Sequence, residues 1–355
     1  MSIRQWKAAV SQAEPCWFNL EAGVERTKAL IAEAASNGAS LIAFSEVWLP
    51  GYPTFLWSGT YAENGPLVLK YMRNSMTAYG PEMLQIRQAV AENKMYAVLG
   101  FSERAGGSLY LAQVLIGPDG NILLHRRKLK PTHMERTIFG DSTGDSLNNV
   151  VDTPLGKIGM LNCWEHLQPL LKFHTYAQGE QIHVASWPSF AHGDTGPYSL
   201  SVAATLTATE MYAIEGQAYV LLANQPVTKA GQILNTEGQA ASKGDATTDM
   251  GGGVARVYGP DARTLTPITD PNFDGLIYCD IDLDKIDEAK TVADPVGHYS
   301  RPDLMRLLID DQPKTVVAKV DSAVSGTSSA YVTSPTLTST HGSLADEIAG
   351  LTIVE

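Results

Sequence analysis

Cys163 stands in the run Lys157-Ile158-Gly159-Met160-Leu161-Asn162-Cys163-Trp164-Glu165-His166, where an apolar, strand-like segment gives way to a helix-like one. A strand-to-helix turn can hold a thiol at the mouth of a sheet, with backbone N–H groups aimed at whatever the thiol attacks. A cysteine alone says little, because free Cys often packs as a small buried hydrophobe. Two other segments give it company. Leu41-Ile42-Ala43-Phe44-Ser45-Glu46 reads as a strand ending in a carboxylate, and His125-Arg126-Arg127-Lys128-Leu129-Lys130-Pro131-Thr132 as a strand ending in a lysine. Glu, Lys and Cys at three strand ends are the parts needed for nucleophilic attack on an unsaturated carbon. A free thiol with pKa near 8.5 is only about 3% ionised at pH 7. A carboxylate within reach can take its proton, and an ammonium favours the thiolate and steadies charge growing on the substrate heteroatom.

The elements that must position these groups alternate along the chain. Strands are expected at Lys7–Gln12, Leu41–Glu46, Met95–Ser102, Leu109–Ile116, Ile122–Arg127, Val150–Thr153, Lys157–Asn162, Ile182–Trp187, Tyr219–Ala223, Val254–Tyr258 and Leu276–Asp282. Helices are expected at Asn19–Ser36, with Asn19 as N-cap, at 66–78 and 81–93, and at His166–Gln178 and Ser199–Glu215. Pro118-Asp119-Gly120 marks a hairpin. This alternation implies an α/β protein with sheets buried between helices, but the pattern leaves open whether there is one sheet or two. The stretch 227–250, rich in Gly, Thr, Ala, Asp and Lys, reads as an exposed insertion. Gly251-Gly252-Gly253 is no phosphate loop, because no Gly-Lys-Ser/Thr follows.

The three motifs, in this order, resemble those of the nitrilase superfamily of carbon-nitrogen hydrolases, with its Glu-Lys-Cys triad. The match maps onto Glu46, Lys128 and Cys163 and spans about residues 5–312. Cys163-Trp164-Glu165 is similar to the signature of the nitrilase branch, as are Pro50-Gly51-Tyr52-Pro53, Lys130-Pro131-Thr132-His133-Met134-Glu135-Arg136 and Gly297-His298-Tyr299-Ser300-Arg301-Pro302-Asp303. Ser45 departs from the proline common before the first Glu. The resemblance implies a four-layer αββα sandwich whose subunits stack into dimers and larger spirals or helical filaments. It implies hydrolysis of a nitrile to the acid and ammonia through a Cys163 thioimidate and acyl-thioester, with some amide by-product, and no cofactor or metal. It also maps a second active-site glutamate onto Glu135, whose bland alternative is a surface pair with Arg136.

Other residues carry weaker signals. Tyr52, Thr132, Phe139, Trp164 and Trp187 are candidate substrate contacts, since aromatics in loops after motif strands can line an apolar pocket; Phe190 lies in a similar place. Their bulk leans the substrate toward arylacetonitriles. Glu165 reads as an acidic cap at a helix N-terminus, and His166 as a supporting residue beside the nucleophile. No role follows for His298 and Arg301. Cyanide hydratase, cyanide dihydratase or aliphatic amidase activity on the same triad is the alternative within enzymes. A binding or scaffold protein with a relic triad is the alternative outside them.

Composition narrows the classes further. With 26 Lys and Arg against 38 Asp and Glu, the net charge of −12 argues against nucleic-acid binding and against adsorption to an anionic membrane. No run of apolar residues is long enough for a membrane span, and the N-terminus lacks a signal-like apolar region. Cys16, Cys163 and Cys279 are far apart and odd in number, which fits a reducing, cytoplasmic setting. Cys163 and His166 form only half of a metal site. Cys16 and Cys279 read as packing residues. After Pro313, Ser, Thr, Ala and Gly dominate. The expected division is therefore a catalytic domain over 1–312 and a C-terminal tail over 313–355, flexible or at a subunit contact, with Leu344–Val354 able to fold on a partner.

Overall fold

The computed structural model of the protein describes residues 3–190, 197–236 and 251–317. Its strands are β1 Gln5–Gln12, β2 Ala39–Ala43, β3 Tyr96–Ala105, β4 Ser108–Ile116, β5 Ile122–Arg127, β6 Val150–Thr153, β7 Gly156–Asn162, β8 Ile182–Ser186, β9 Tyr219–Ala223, β10 Arg256–Tyr258 and β11 Gly275–Asp282. One sheet has the order β11-β1-β2-β3-β4-β5 and the other β10-β9-β8-β7-β6. The helices are α1 Leu20–Ser36, α2 Tyr61–Arg73, α3 Pro81–Asn93, α4 Pro169–Ala177, α5 Val202–Gly216, α6 Lys229–Thr236 and α7 Asp284–Lys290.

Side-chain alternation decides how these pieces stack, because successive strand residues face opposite ways. In β1, Ala9 belongs to an apolar cluster with Ile31 of α1 and Ile86 of α3. Its neighbours Ala8 and Val10 face Ile158 and Met160 of β7 and Val184 of β8. In the second sheet, Leu221 of β9 joins that same inter-sheet core, while Val220 and Leu222 pack with Leu171 of α4 and Tyr212 of α5. The result is helix, sheet, sheet, helix, the four-layer αββα sandwich. Central strands are apolar on both faces, as strands buried on both sides must be. Each fully buried Val, Leu or Ile contributes roughly 1.5–3 kcal/mol.

Local chemistry sets the element ends. Asn19 caps α1 by accepting from the Ala22 N–H at 3.0 Å. The helix expected at 66–78 instead starts at Tyr61, because Thr60 and Glu63 form a capping box ahead of Pro66. The helix expected at His166–Gln178 divides into a 3-10 turn, Cys163–Leu167, and α4, which opens on Pro169. The strand expected to end at Glu46 stops at Ala43, so Glu46 sits in the loop beyond it. Ser201 caps α5, whose body runs slightly later than Ser199–Glu215.

The exposed insertion expected at 227–250 is corrected at its start. Val227 and Asn235 are buried, and Asn235 donates to the Tyr52 carbonyl at 2.7 Å. Its later residues, 237–250, lie outside the described residues, as does the tail from 318 onward, including Leu344–Val354. Among the described residues no helix is long and apolar enough to cross a membrane.

Candidate active site

Glu46, Lys128, Glu135 and Cys163 come from four separate places in the sequence and meet in one buried cluster. Lys128 follows β5, held by its own N–H donating to the Leu111 carbonyl at 2.7 Å. Its Nζ donates to Glu46 Oε1 and to Glu135 Oε2, both at 2.8 Å. Carboxylate oxygens of Glu46 and Glu135 and the Cys163 sulfur all lie within 4.8 Å of one another. The second oxygen of Glu46 has no hydrogen-bond partner although it is buried. Glu135 is no surface residue paired with Arg136. It accepts from Lys128, from the Tyr52 hydroxyl at 2.8 Å and from the Thr132 N–H at 2.6 Å.

Each segment enters the cluster through strained backbone. Val47 (φ 47°), His133 (φ 44°) and Cys163 (φ 46°) are non-glycine residues in the left-handed region. Such residues cost on the order of 1–3 kcal/mol each and persist where the surroundings over-determine them. Here they turn the chain sharply beside Glu46, between Lys128 and Glu135, and at the thiol itself.

The supports are polar and buried. Glu165 receives both Arg126 Nη atoms, at 2.8 and 2.7 Å, the Asn162 N–H at 2.9 Å and the Leu129 N–H at 2.9 Å. It therefore caps the Cys163 turn, as expected, and also ties that turn to the segment carrying Lys128. Arg126 continues to Gln113 at 2.9 Å, Gln113 to the Ser186 hydroxyl at 3.0 Å, and Ser186 to the Phe44 carbonyl at 2.9 Å, two residues before Glu46. Gln225 donates to the Glu46 carbonyl at 2.7 Å. Gly100 completes the packing: a Cβ there would run into the Ser45 carbonyl oxygen and crowd Glu46 Cα. A lone glycine inside a strand signals such close approach, so Gly100 was open to detection in the sequence. A buried Arg126 or Gln225 leaves no comparable mark.

Burial dominates the electrostatics. It pushes the Cys163 thiol well above its ordinary value, and the charge on Glu46 adds to this, while Lys128 and the Trp164 N–H pull the other way. Burial also pushes the Glu46 carboxyl up to about 8 against the pull of Lys128. For Lys128, burial alone would lower the value, but Glu135 and Glu46 outweigh it and keep the ammonium charged. The resting site is thus a neutral thiol beside a carboxyl that burial biases toward its protonated form, able to take the thiol proton once ionised, and a cation that stays charged. That cation already occupies the space between the two carboxylates that a metal would need.

The remaining candidates fall in different places. Tyr52 is turned toward Glu135, and Thr132 bonds Glu135 through its backbone. Trp164 is half-buried, packed with Leu161 and Leu171 against the outer face of the second sheet. Trp187 is buried, stacked on His166 at 4.9 Å, and its indole N–H has no partner; Phe190 meets it edge-on at 5.8 Å. Phe139 sits edge-on to Tyr71 at 6.1 Å in an apolar cluster that includes Phe18, Phe55 and Tyr52. The Cys163–His166 metal half-site also fails, because His166 Nδ1 is bonded to the Cys163 carbonyl.

Known proteins agree with this architecture. The chain matches the carbon-nitrogen hydrolase family over residues 7–291. It is 48% identical over 312 residues to an arylacetonitrilase of Aspergillus kawachii, covering 87% of this chain and 93% of that one. It is 44% identical over 327 residues to a cyanide hydratase of Stereum hirsutum, covering 90% and 87% respectively. Among solved structures, the NitFhit protein of C. elegans shares the fold, with a TM-score of 0.66 at 18% identity over 89% of this chain and 70% of that one. The chain belongs to the carbon-nitrogen hydrolase family.

Proposed function

We propose that this chain hydrolyses organic nitriles, arylacetonitriles foremost, to the carboxylic acid and ammonia. The observation that carries this reading is the buried ammonium of Lys128, shared between Glu46 and Glu135 beside a thiol held at the end of β7. Glu46 takes the Cys163 proton through its unpartnered oxygen, and the sulfur adds to the nitrile carbon. The nitrile nitrogen gains a proton, giving a thioimidate. Lys128 and the Trp164 N–H stabilise the charge on that nitrogen. One water adds to the carbon, with Glu46 again as base, and ammonia leaves to give an acyl-thioester. A second water releases the acid and restores the thiol. Departure of the thiolate before ammonia yields the amide. Glu135 holds Lys128, and Trp164 and Trp187 supply apolar surface for an aryl group.

The test is ammonia and amide release over phenylacetonitrile, benzonitrile, aliphatic nitriles, cyanide and the matching amides. Phenylacetonitrile should be turned over fastest. A preference for cyanide would make the chain a cyanide hydratase, the activity named for the Stereum relative. Glu46→Gln should lower kcat about 10²–10⁴-fold and Lys128→Met about 10²–10³-fold, both with the fold intact. Because the base must be ionised, activity should climb as pH rises through the Glu46 value, and Glu46→Gln should lack that climb. A larger loss in Lys130→Met than in Lys128→Met would assign the wrong lysine; Lys130 is exposed and paired with Asp141.

The same reading includes self-association, into dimers and then helical filaments, with residues 313–355 outside the catalytic domain. It is supported by exposed apolar side chains on α4 and α5, among them Leu170, Phe173, Met211 and Ile214, and by Leu304, Met305 and Leu308 further on. A chain truncated after Pro313 should stay folded and active while its particle size by light scattering changes. An insoluble product would move the domain boundary.

A further inference from the structure

Four buried titratable residues have no part in the chemistry above, yet they form one line that ends on the nucleophile. The Cys163 carbonyl accepts from His166 Nδ1 at 2.6 Å. His166 Nε2 lies 2.9 Å from His183 Nε2, and His183 Nδ1 lies 2.6 Å from Glu180 Oε1. The Tyr212 hydroxyl donates to Glu180 Oε2 at 2.7 Å. Stacking fixes the rings: His183 on Tyr212 at 3.8 Å and His166 on Trp187 at 4.9 Å.

The three links from Cys163 to Glu180 can be counted in protons. A carbonyl oxygen only accepts, so His166 Nδ1 must carry hydrogen. Two neutral imidazoles bring two protons, and three links need three. The third sits between His183 Nδ1 and Glu180. Burial places it on the carboxyl, pushing Glu180 up to about 8, and drives both imidazoles below their ordinary range. The other groups facing the chain are Glu165 beside His166, Lys172 and Tyr176 from α4, Arg126 from β5, and Tyr212 from α5. Arg126 and Glu165 pair with each other, and Lys172 pairs with Glu215, which mutes their fields.

The bonded carbonyl belongs to the peptide whose N–H, that of Trp164, acts on the Cys163 thiol to favour its ionised form. Pulling on a peptide oxygen fixes the plane and strengthens its N–H as a donor. We propose that His166, His183 and Glu180 are positioning residues for the reaction at Cys163, a three-proton chain that aims the Trp164 N–H at the sulfur and at the charge formed there. This rests on the nitrile-hydrolysing reading only for its substrate.

Loss of the third proton breaks the chain. With Glu180 ionised, His183 donates to it and leaves Nε2 bare. His166 then satisfies either His183 or the Cys163 carbonyl, and not both. The hold on the peptide is therefore intact below about pH 8 and lost as pH rises through the Glu180 value. Glu180→Gln retains all three links, because its amide N–H donates to His183 and its oxygen accepts from Tyr212, and it cannot ionise. Glu180→Leu has no donor.

Two measurements on the purified full-length chain from pH 6 to 10 test this. One is kcat and KM for phenylacetonitrile. The other is the rate of Cys163 alkylation by iodoacetamide, read by mass spectrometry. Above about pH 8 the wild type should fall progressively behind Glu180→Gln in kcat, with KM little changed, while the two should match below pH 8. The alkylation-rate ratio of Glu180→Gln to wild type should rise over the same range. Below pH 8 Glu180→Leu should be slower than both by about tenfold, a share of the roughly 10²–10³ supplied by one charge-stabilising donor, and the wild type should approach it as pH rises. The rising limb from Glu46 is common to all three proteins and cancels in the comparison. Superimposable wild-type and Glu180→Gln profiles in both measurements would overturn the proposal, whether or not Glu180→Leu folds. A wild type inert toward every nitrile would remove the substrate reading, and the alkylation profiles would still decide this one.

Discussion

Cys163→Ala is expected to abolish nitrile turnover, with a loss on the order of 10⁶-fold, the size seen when a covalent nucleophile is removed from a catalytic unit that works as one. The reason is positional. Cys163 is the one thiol of the three placed within 4.8 Å of two carboxylates and next to the Lys128 cation. Cys16 is half-buried near Glu14 and Asp274, and Cys279 lies on β11, opposite Ala8 of β1 in the core between the sheets. Arg26 also lies near Cys16 but is paired with Asp274, and Cys279 is affected only by burial and Asp280, so Cys16→Ala and Cys279→Ala should retain most activity. Burial keeps the Cys163 thiol protonated at rest, so the variant loses the nucleophile and leaves Glu46 nothing to deprotonate but water. A mass shift from a thioimidate or acyl adduct should appear on the peptide containing Cys163 and vanish in Cys163→Ala. Residual turnover within a hundredfold of wild type would rule out the covalent route.

The three chemistry-bearing residues were readable because each stands at or just past the end of a strand-like run, apolar before Glu46 and Cys163 and mixed before Lys128, and the end of a buried strand is where a polar side chain can reach a site without disrupting the core. Strand pairing was readable for a similar reason. The β4–β5 hairpin follows from Pro118-Asp119-Gly120, and the α1 cap from Asn19. The number of sheets was not readable from pattern. Ile158 and Val220 look alike in sequence, yet one faces the other sheet and the other faces α5. Alternation reports that two faces exist, not what covers them. The supports were hidden for another reason. Arg126 sits in a charged run that reads as solvated, and Glu165 reads as a simple cap. Only the fold brings them together, and only then does each become tolerable in the interior.

Glu165→Gln should cost about 3–5 kcal/mol of stability, the range for breaking a buried ion pair while leaving one charge in place. Arg126 and Glu165 both have side chains with no exposed surface. Burial alone would raise the Glu165 carboxyl, but the Arg126 charge, its hydrogen bonds and the N–H groups of Leu129 and Asn162 outweigh it and hold the value low. A carboxylate with a lowered folded-state pKa contributes stability above its unfolded value and loses it as pH falls through the folded one. The stability gap between wild type and variant should therefore be full at pH 7 and narrow as pH falls through the Glu165 value. Against a total of about 5–15 kcal/mol for a typical domain, the single change leaves little margin, and the urea midpoint at pH 7 should drop sharply. Arg126→Met combined with Glu165→Gln removes both charges, so stability should recover by more than half. Activity should not recover with it. Glu165 is the acceptor that joins the Asn162 N–H before Cys163 to the Leu129 N–H after Lys128, and Arg126 carries the same support through Gln113 and Ser186 toward Glu46. A gap of even 1 Å between groups that must exchange protons can cost about a hundredfold. A double variant as active as wild type would show that the ion pair stabilises the fold and does nothing to hold the triad together. A Glu165→Gln protein within 1 kcal/mol of wild type would show that the pair is not the hub its geometry describes.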